Sequence, residues 1–275
     1  MSNLIQRTLS SIAFVALMIG PIFLSGRIAF SIYTLLGGLT LREMLSLLEK
    51  AGSEVNKTLA AATYGLAAIG AYLVFFEQGS NLRVVGLSLI VVVILGLVAE
   101  VFTHNSKPFE RFSTSVLSPL FAASSFLCLP YFFVYRTDLP STLITLSLFG
   151  FIWINDSAAY LAGRKIGKRP LFKRLSPNKT WEGSISGLIA SLATGFLIGF
   201  SPGTPPAWFM VGFSLVCVIF GSLGDLLESR LKRVAGVKDS GKFLPGHGGF
   251  FDRFDAMMLA VPASLIYFEA LLPKN

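Results

Sequence analysis

Between Ser229 and Asp255 the chain gathers basic residues, three carboxylates, a histidine and several glycines into 27 residues of a mostly apolar protein. A segment needs none of these to reside in a bilayer, where each charge is costly. Together they suit a phosphate-bearing substrate and a divalent cation. Asp252 and Asp255, three apart at the head of an apolar stretch, would share one face of a continuous helix. Paired oxygens at that spacing suit Mg2+. Gly246, Gly248 and Gly249 allow backbone amides to turn towards an anion. His247 has the chemistry to bond a phosphate or the loop backbone. With His104 the only other histidine, a histidine-based zinc site is disfavoured.

Three upstream groups join this segment. Asn155-Asp156-Ser157 lies in a predicted span, with Asp156 roughly 9 Å from its end. A carboxylate at that depth must be paired or face a wet cavity. In Ser176-Pro-Asn178-Lys179-Thr180, Pro177 and Asn178 predict a turn. Lys179 and Thr180 would then start the next helix, where free amides and a lysine favour phosphate. Gly224-Asp225 closes another span. If that helix continues, Asp225, Glu228, Ser229 and Lys232 line one face, an i, i+4 Glu228–Lys232 pair being the plainer reading. A P-loop is absent, because Gly163 to Lys168 has the wrong spacing and no Ser or Thr follows the lysine.

The elements that position these residues are membrane spans. Hydrophobic residues make up 53% of the chain and charged ones 14%, with mean hydropathy +0.68. Apolar stretches near spanning length recur at 4–23, 28–48, 59–76, 82–101, 115–134, 142–162, 185–200, 207–223 and 257–272. The expected fold is therefore all-α: a polytopic membrane protein of about nine transmembrane helices with a polar site facing the cytoplasm. With the N-terminus inside, 19 of the 23 Lys and Arg residues fall on the cytoplasmic side. The net charge of +8 thus reflects topology under the positive-inside rule, and nucleic acid is not an expected partner. Cys128 and Cys217 are isolated within apolar spans and indicate neither a disulfide nor a zinc site. The first apolar stretch lacks a small-residue cleavage pattern and reads as an uncleaved span.

The chain divides functionally near residue 140. Residues 1–140 read as scaffold helices with a potential lipid pocket, and 141–275 as the catalytic region. Two cytoplasmic loops, about 163–184 and 224–256, hold 13 basic residues and flank one hairpin of spans. They would emerge on the same face and form one site. Gly183, Gly187 and Ala190 in the intervening span favour close helix packing.

Ser229-x-x-Lys232-Arg233-x4-Lys238-Asp239-x-Gly241 and Leu244-Pro-Gly-His-Gly-Gly249-x-x-Asp252-Arg253-x-Asp255 together resemble the signature of the phosphatidate cytidylyltransferases, also called CDP-diacylglycerol synthases. Asn155-Asp156, Ser176 to Thr180 and Gly224-Asp225 resemble the family's upstream pattern. The likeness covers about residues 150–260. It implies that CTP and phosphatidate give CDP-diacylglycerol and pyrophosphate, with Mg2+ required and room for a second cation. A metal would lie on Asp225, Asp252 and Asp255, with Lys238 and Asp239 also catalytic. Substrate would be bound by Asn155, Asp156, Ser176, Asn178, Lys179, Thr180, Lys232, Arg233, Gly246, His247, Gly248, Gly249 and Arg253. The implied setting is a bacterial inner membrane, with phospholipid biosynthesis as the role and a homo-oligomer compatible with it. Two rival readings stay open: a CTP-dependent polyprenol or lipid kinase, and a transporter. Glu43 and Glu100, near predicted span ends, have no functional account in the sequence.

Overall fold

The computed structural model describes residues 12–77, 82–102, 107–135, 140–173, 175–241 and 248–272. The predicted spans become helices α1 (Ile12–Phe23, ending in a 3-10 turn from Gly20), α2 (Gly26–Lys50), α3 (Lys57–Phe76), α4 (Leu82–Val101) and α5 (Pro108–Phe126). A π turn at Tyr131–Tyr135 follows, then α6 (Ser141–Ile166), α7 (Trp181–Ile198), α8 (Ala207–Val234), the single turn α9 (Phe251–Phe254) and α10 (Met257–Leu271). Seven of the helical segments are long and apolar enough to cross a membrane, and Ile12–Phe23 and Gly86–Val101 are shorter apolar helices. The fold is that of an all-α polytopic membrane protein.

Two local expectations are corrected. Ser176–Thr180 is not a turn leading into a helix but strand β2, which pairs antiparallel with β1 (Pro170–Phe172). In a two-stranded hairpin every strand is an edge, so Pro177 need not donate to the ladder. The Thr180 side chain then caps α7, accepting from the Gly183 amide at 3.2 Å. The second correction concerns Asp252 and Asp255: a turn at Asp255–Ala256 separates α9 from α10, so the two residues do not sit on one continuous helix. The conditional expectation for α8 is met. It runs past the apolar stretch through Glu228 and Lys232, because Leu, Glu, Arg and Lys are strong helix formers irrespective of hydropathy.

The chain forms two compact units, residues 1–130 with 231–254 and residues 131–230 with 255–275. In the first, α2, α3, α4 and α5 pack on one another and α9 packs on α2. Phe254 of α9 is fully buried, edge-on to Phe14 at 5.4 Å and to Phe126 at 4.9 Å. Such aromatic pairs add about 0.5–1.5 kcal/mol each beyond burial, which fixes α9 to the helices. A buried-side ion pair, Arg111 to Glu100 at 3.5 Å, joins α5 to α4 and accounts for Glu100 structurally.

In the second unit α6 packs along α7. The seam on α7 is Gly183, Gly187 and Ser191, four residues apart and all buried, while buried Gly195 one turn further on faces Met210 of α8. Ala190, singled out from sequence, is outside this buried set. A Cβ at Gly187 would come within 2.5 Å of the Asn155 carbonyl oxygen, and one at Gly183 within 2.6 Å of that of Ala159. Ser191 Oγ donates to the Phe151 carbonyl at 2.8 Å. Small residues here bring the backbones together where apolar attraction between helices is weak. Phe132, Phe209, Phe213 and Phe268 form the aromatic core of this unit. Cys128 and Cys217 are free thiols, as expected.

Candidate active site

In the second unit, the end of α8, the Asp255 turn and strand β2 converge on a group of carboxylates. Asp225 and Glu228 lie one helical turn apart on α8, and Asp255 stands at the turn before α10. One oxygen from each lies within 4.8 Å of the others. Gly224 makes this approach feasible, since a Cβ there would be 2.3 Å from the Asp255 carbonyl oxygen. Asp255 Oδ1 accepts from the Ala256 amide at 2.7 Å, which fixes its orientation.

Lys179 of β2 pairs with Asp225. Burial lowers the pKa of its ammonium, an effect opposed by the carboxylates of Asp156, Asp255 and Glu228. Four acidic residues therefore face one lysine. On α6, Asn155 Nδ2 donates to Asp156 Oδ1 at 3.1 Å, which orients that carboxylate. The oxygen donors of Asp225, Glu228 and Asp255 form a hard, anionic set of the kind Mg2+ prefers. Among the described residues the group offers carboxylate oxygens alone, a donor set that suits Mg2+ better than zinc.

In the first unit, the signature residues build a second constellation around Asp252 of α9. Its Oδ1 accepts from Lys232 Nζ at 2.9 Å and from the Ser240 amide at 3.1 Å. Its Oδ2 accepts from the Ser240 amide at 2.9 Å and the Gly249 amide at 2.8 Å. Gly248 adopts φ +83°, and a Cβ there would fall 2.6 Å from Asp252 Oδ2. Both the conformation and the clearance demand glycine. Glu43 of α2 accepts from Ser240 Oγ at 2.9 Å and from the Phe251 amide at 3.0 Å.

The structure thus brings Asp225, Asp255 and Lys179 together in one unit, and Lys232, Gly248, Gly249 and Asp252 together in the other. Asn155 and Asp156 sit on α6, and Ser176, Asn178 and Thr180 on β2. Arg233 ends α8, Lys238 and Asp239 follow it, and Arg253 is on α9; all four are exposed. Gly246 and His247 lie outside the described residues.

Sequence reasoning left three members out of the site. Glu228 carried a signal, its position one turn after Asp225 on a helix that continues. Ser240 lay inside the signature as a variable position. Glu43 carried none, being 197 residues from Ser240.

The model of the Cytidylyltransferase family matches residues 5–271. A protein of Staphylococcus aureus (strain COL) called phosphatidate cytidylyltransferase is 33% identical over 259 residues, 93% of this chain and 95% of its own. One of the same name from Staphylococcus saprophyticus is 31% identical over 258 residues, with the same two shares. Another, from Staphylococcus haemolyticus (strain JCSC1435), is 33% identical over 260 residues, again 93% and 95%. The match runs through both units and both constellations, and the chain belongs to the cytidylyltransferase family.

Proposed function

We propose that the protein transfers the cytidylyl group of CTP to phosphatidate, giving CDP-diacylglycerol and pyrophosphate. One observation carries this reading: a member of a cytidylyltransferase family holds the Asp225, Glu228 and Asp255 oxygens as a compact set with Lys179 against them. The full-length relatives named above bear the name of that activity.

The acceptor needs no general base. The phosphomonoester of phosphatidate, with a second pKa of about 6, is largely dianionic at neutral pH. One of its oxygens attacks the α-phosphorus of CTP. The bond from that phosphorus to the bridging oxygen breaks, and pyrophosphate leaves with the electron pair. What must be overcome is repulsion between two polyanions and their alignment in line. Mg2+, when bound, would supply charge neutralisation at the phosphates. Asp225, Glu228 and Asp255 would hold it. Asp252, expected beside them, contributes through the signature loop that its four hydrogen bonds order. Lys179, paired with Asp225, is the point charge available for a phosphate. Lys232, Arg233, Lys238 and Arg253 provide further positive charge, and Asn155 and Asp156 nucleotide contacts.

In this proposal the chain crosses a bacterial inner membrane nine times, with its N-terminus and site on the cytoplasmic side. CTP would arrive from water and phosphatidate from the leaflet. Residues 141–275 would supply the catalytic region and residues 1–140 its support. The test is turnover of purified protein in detergent micelles with cytidine-labelled CTP, phosphatidate and Mg2+. Label entering the lipid phase, matched by pyrophosphate and dependent on Mg2+, is expected. Release of CDP with phosphorylation of a lipid alcohol would replace this reading with a kinase.

A further inference from the structure

We propose that Glu43 is the positioning residue of the signature loop, a clamp from α2 on both flanks of the glycine-rich segment. Glu43 Oε2 accepts from Ser240 Oγ before that segment, at 2.9 Å, and from the Phe251 amide after it, at 3.0 Å. Ser240 passes the constraint on. Its Oγ accepts from the Asp252 amide at 3.3 Å, and its own amide donates to both oxygens of the Asp252 carboxylate. Glu43, Ser240, Asp252 and Lys232 are therefore linked in series by hydrogen bonds and one ion pair.

Two glycines of the loop close directly on this carboxylate. A Cβ at Gly249 would lie 2.2 Å from Glu43 Oε2, and one at Gly241 2.3 Å from Oε1. Any larger side chain at either position would collide with the carboxylate, so glycine is required at both positions beside Glu43. A membrane-interface glutamate needs no such enclosure. Glu49, further along α2, shows the ordinary case: it pairs at 2.9 Å with Lys57, with side chains 38% and 68% exposed respectively.

The catalytic consequence rests on the cytidylyl-transfer reading, in which the loop around Asp252 serves the reaction. The structural consequence does not. The test compares full-length wild type, Glu43→Ala, Glu43→Gln and Lys50→Ala in detergent micelles. It reads amide hydrogen exchange in peptides containing Ser240 and Gly249 to Asp252, turnover, and the thermal transition. Glu43→Ala is expected to speed exchange in those peptides about 10-fold or more, with protection elsewhere retained. Its kcat should fall about 100-fold with little change in KM for CTP, the mark of lost alignment in the transition state. Glu43→Gln keeps an acceptor and should recover about 10-fold of that loss. Lys50→Ala should match wild type throughout.

Unchanged exchange in the Ser240 and Gly249 to Asp252 peptides would overturn the inference. So would an even loss of protection across the chain with a collapsed thermal transition, or a glutamine variant no better than alanine. If wild type itself makes no CDP-diacylglycerol, the functional reading fails, and the exchange measurement alone decides the role of Glu43.

Discussion

Replacing Asp252 by Asn tests the signature loop most directly. The carboxylate takes two donors on each oxygen: Lys232 Nζ and the Ser240 amide on Oδ1, the Ser240 and Gly249 amides on Oδ2. An asparagine amide must turn its NH2 towards one of these pairs. Whichever orientation it adopts, the Ser240 amide keeps the remaining oxygen, but either Lys232 Nζ or the Gly249 amide is left facing the NH2, so that donor and the NH2 itself both go unsatisfied. The side chain is only 8% exposed, so water is poorly placed to compensate. Each unsatisfied buried donor costs about 1–3 kcal/mol. Even the lower end, about 2 kcal/mol for the two, reduces the population of the ordered loop roughly 30-fold. Turnover of Asp252→Asn in the micelle assay should therefore fall at least about 30-fold, with membrane insertion and the thermal transition retained. Turnover within about 3-fold of wild type would show that this network does not govern the reaction.

Three further outcomes follow from the carboxylate set. Lys179→Ala should lower turnover about 100-fold, yet tighten Mn2+ binding to the nucleotide-free protein by removing a competing cation from Asp225; weaker Mn2+ binding, read by electron paramagnetic resonance, would contradict that competition. Glu228→Gln should weaken Mn2+ binding about 10-fold, since it removes one of three anionic donors; unchanged affinity would place Glu228 outside the metal set. Gly224→Ala sets a Cβ 2.3 Å from the Asp255 carbonyl oxygen and must push α8 from the Asp255 turn. Overpacking of this kind costs about 1–3 kcal/mol, so the variant should fold with a lower thermal transition and little turnover. Near-normal turnover would mean that the spacing of Asp225 and Asp255 is not critical.

The spans were legible because their cause is local. Twenty or so apolar residues specify a helix in lipid whatever their neighbours, and α2, α3, α4, α6, α7, α8 and α10 overlie predicted stretches, whereas α5 starts at Pro108 rather than near 115 and the single turn α9 was not predicted. The hairpin at Pro170–Phe172 and Ser176–Thr180 was not legible, since Pro177 and Asn178 read locally as a turn and only pairing across the loop makes them a strand. The seam of Gly183, Gly187 and Ser191 was half visible: small residues could be counted, but which face meets α6 depends on where α6 lies.

The sequence by itself determined the fold class and the family signature, because composition and close spacing carry that information. Tertiary structure alone decided that Glu228 joins Asp225 and Asp255, that Asp252 spends its oxygens on Lys232, Ser240 and Gly249, and that Glu43 grips the loop. Hydrogen bonds act over about 3 Å. Residues 197 apart in the chain reach that distance only once α2 and α9 have packed together, and no local pattern records it.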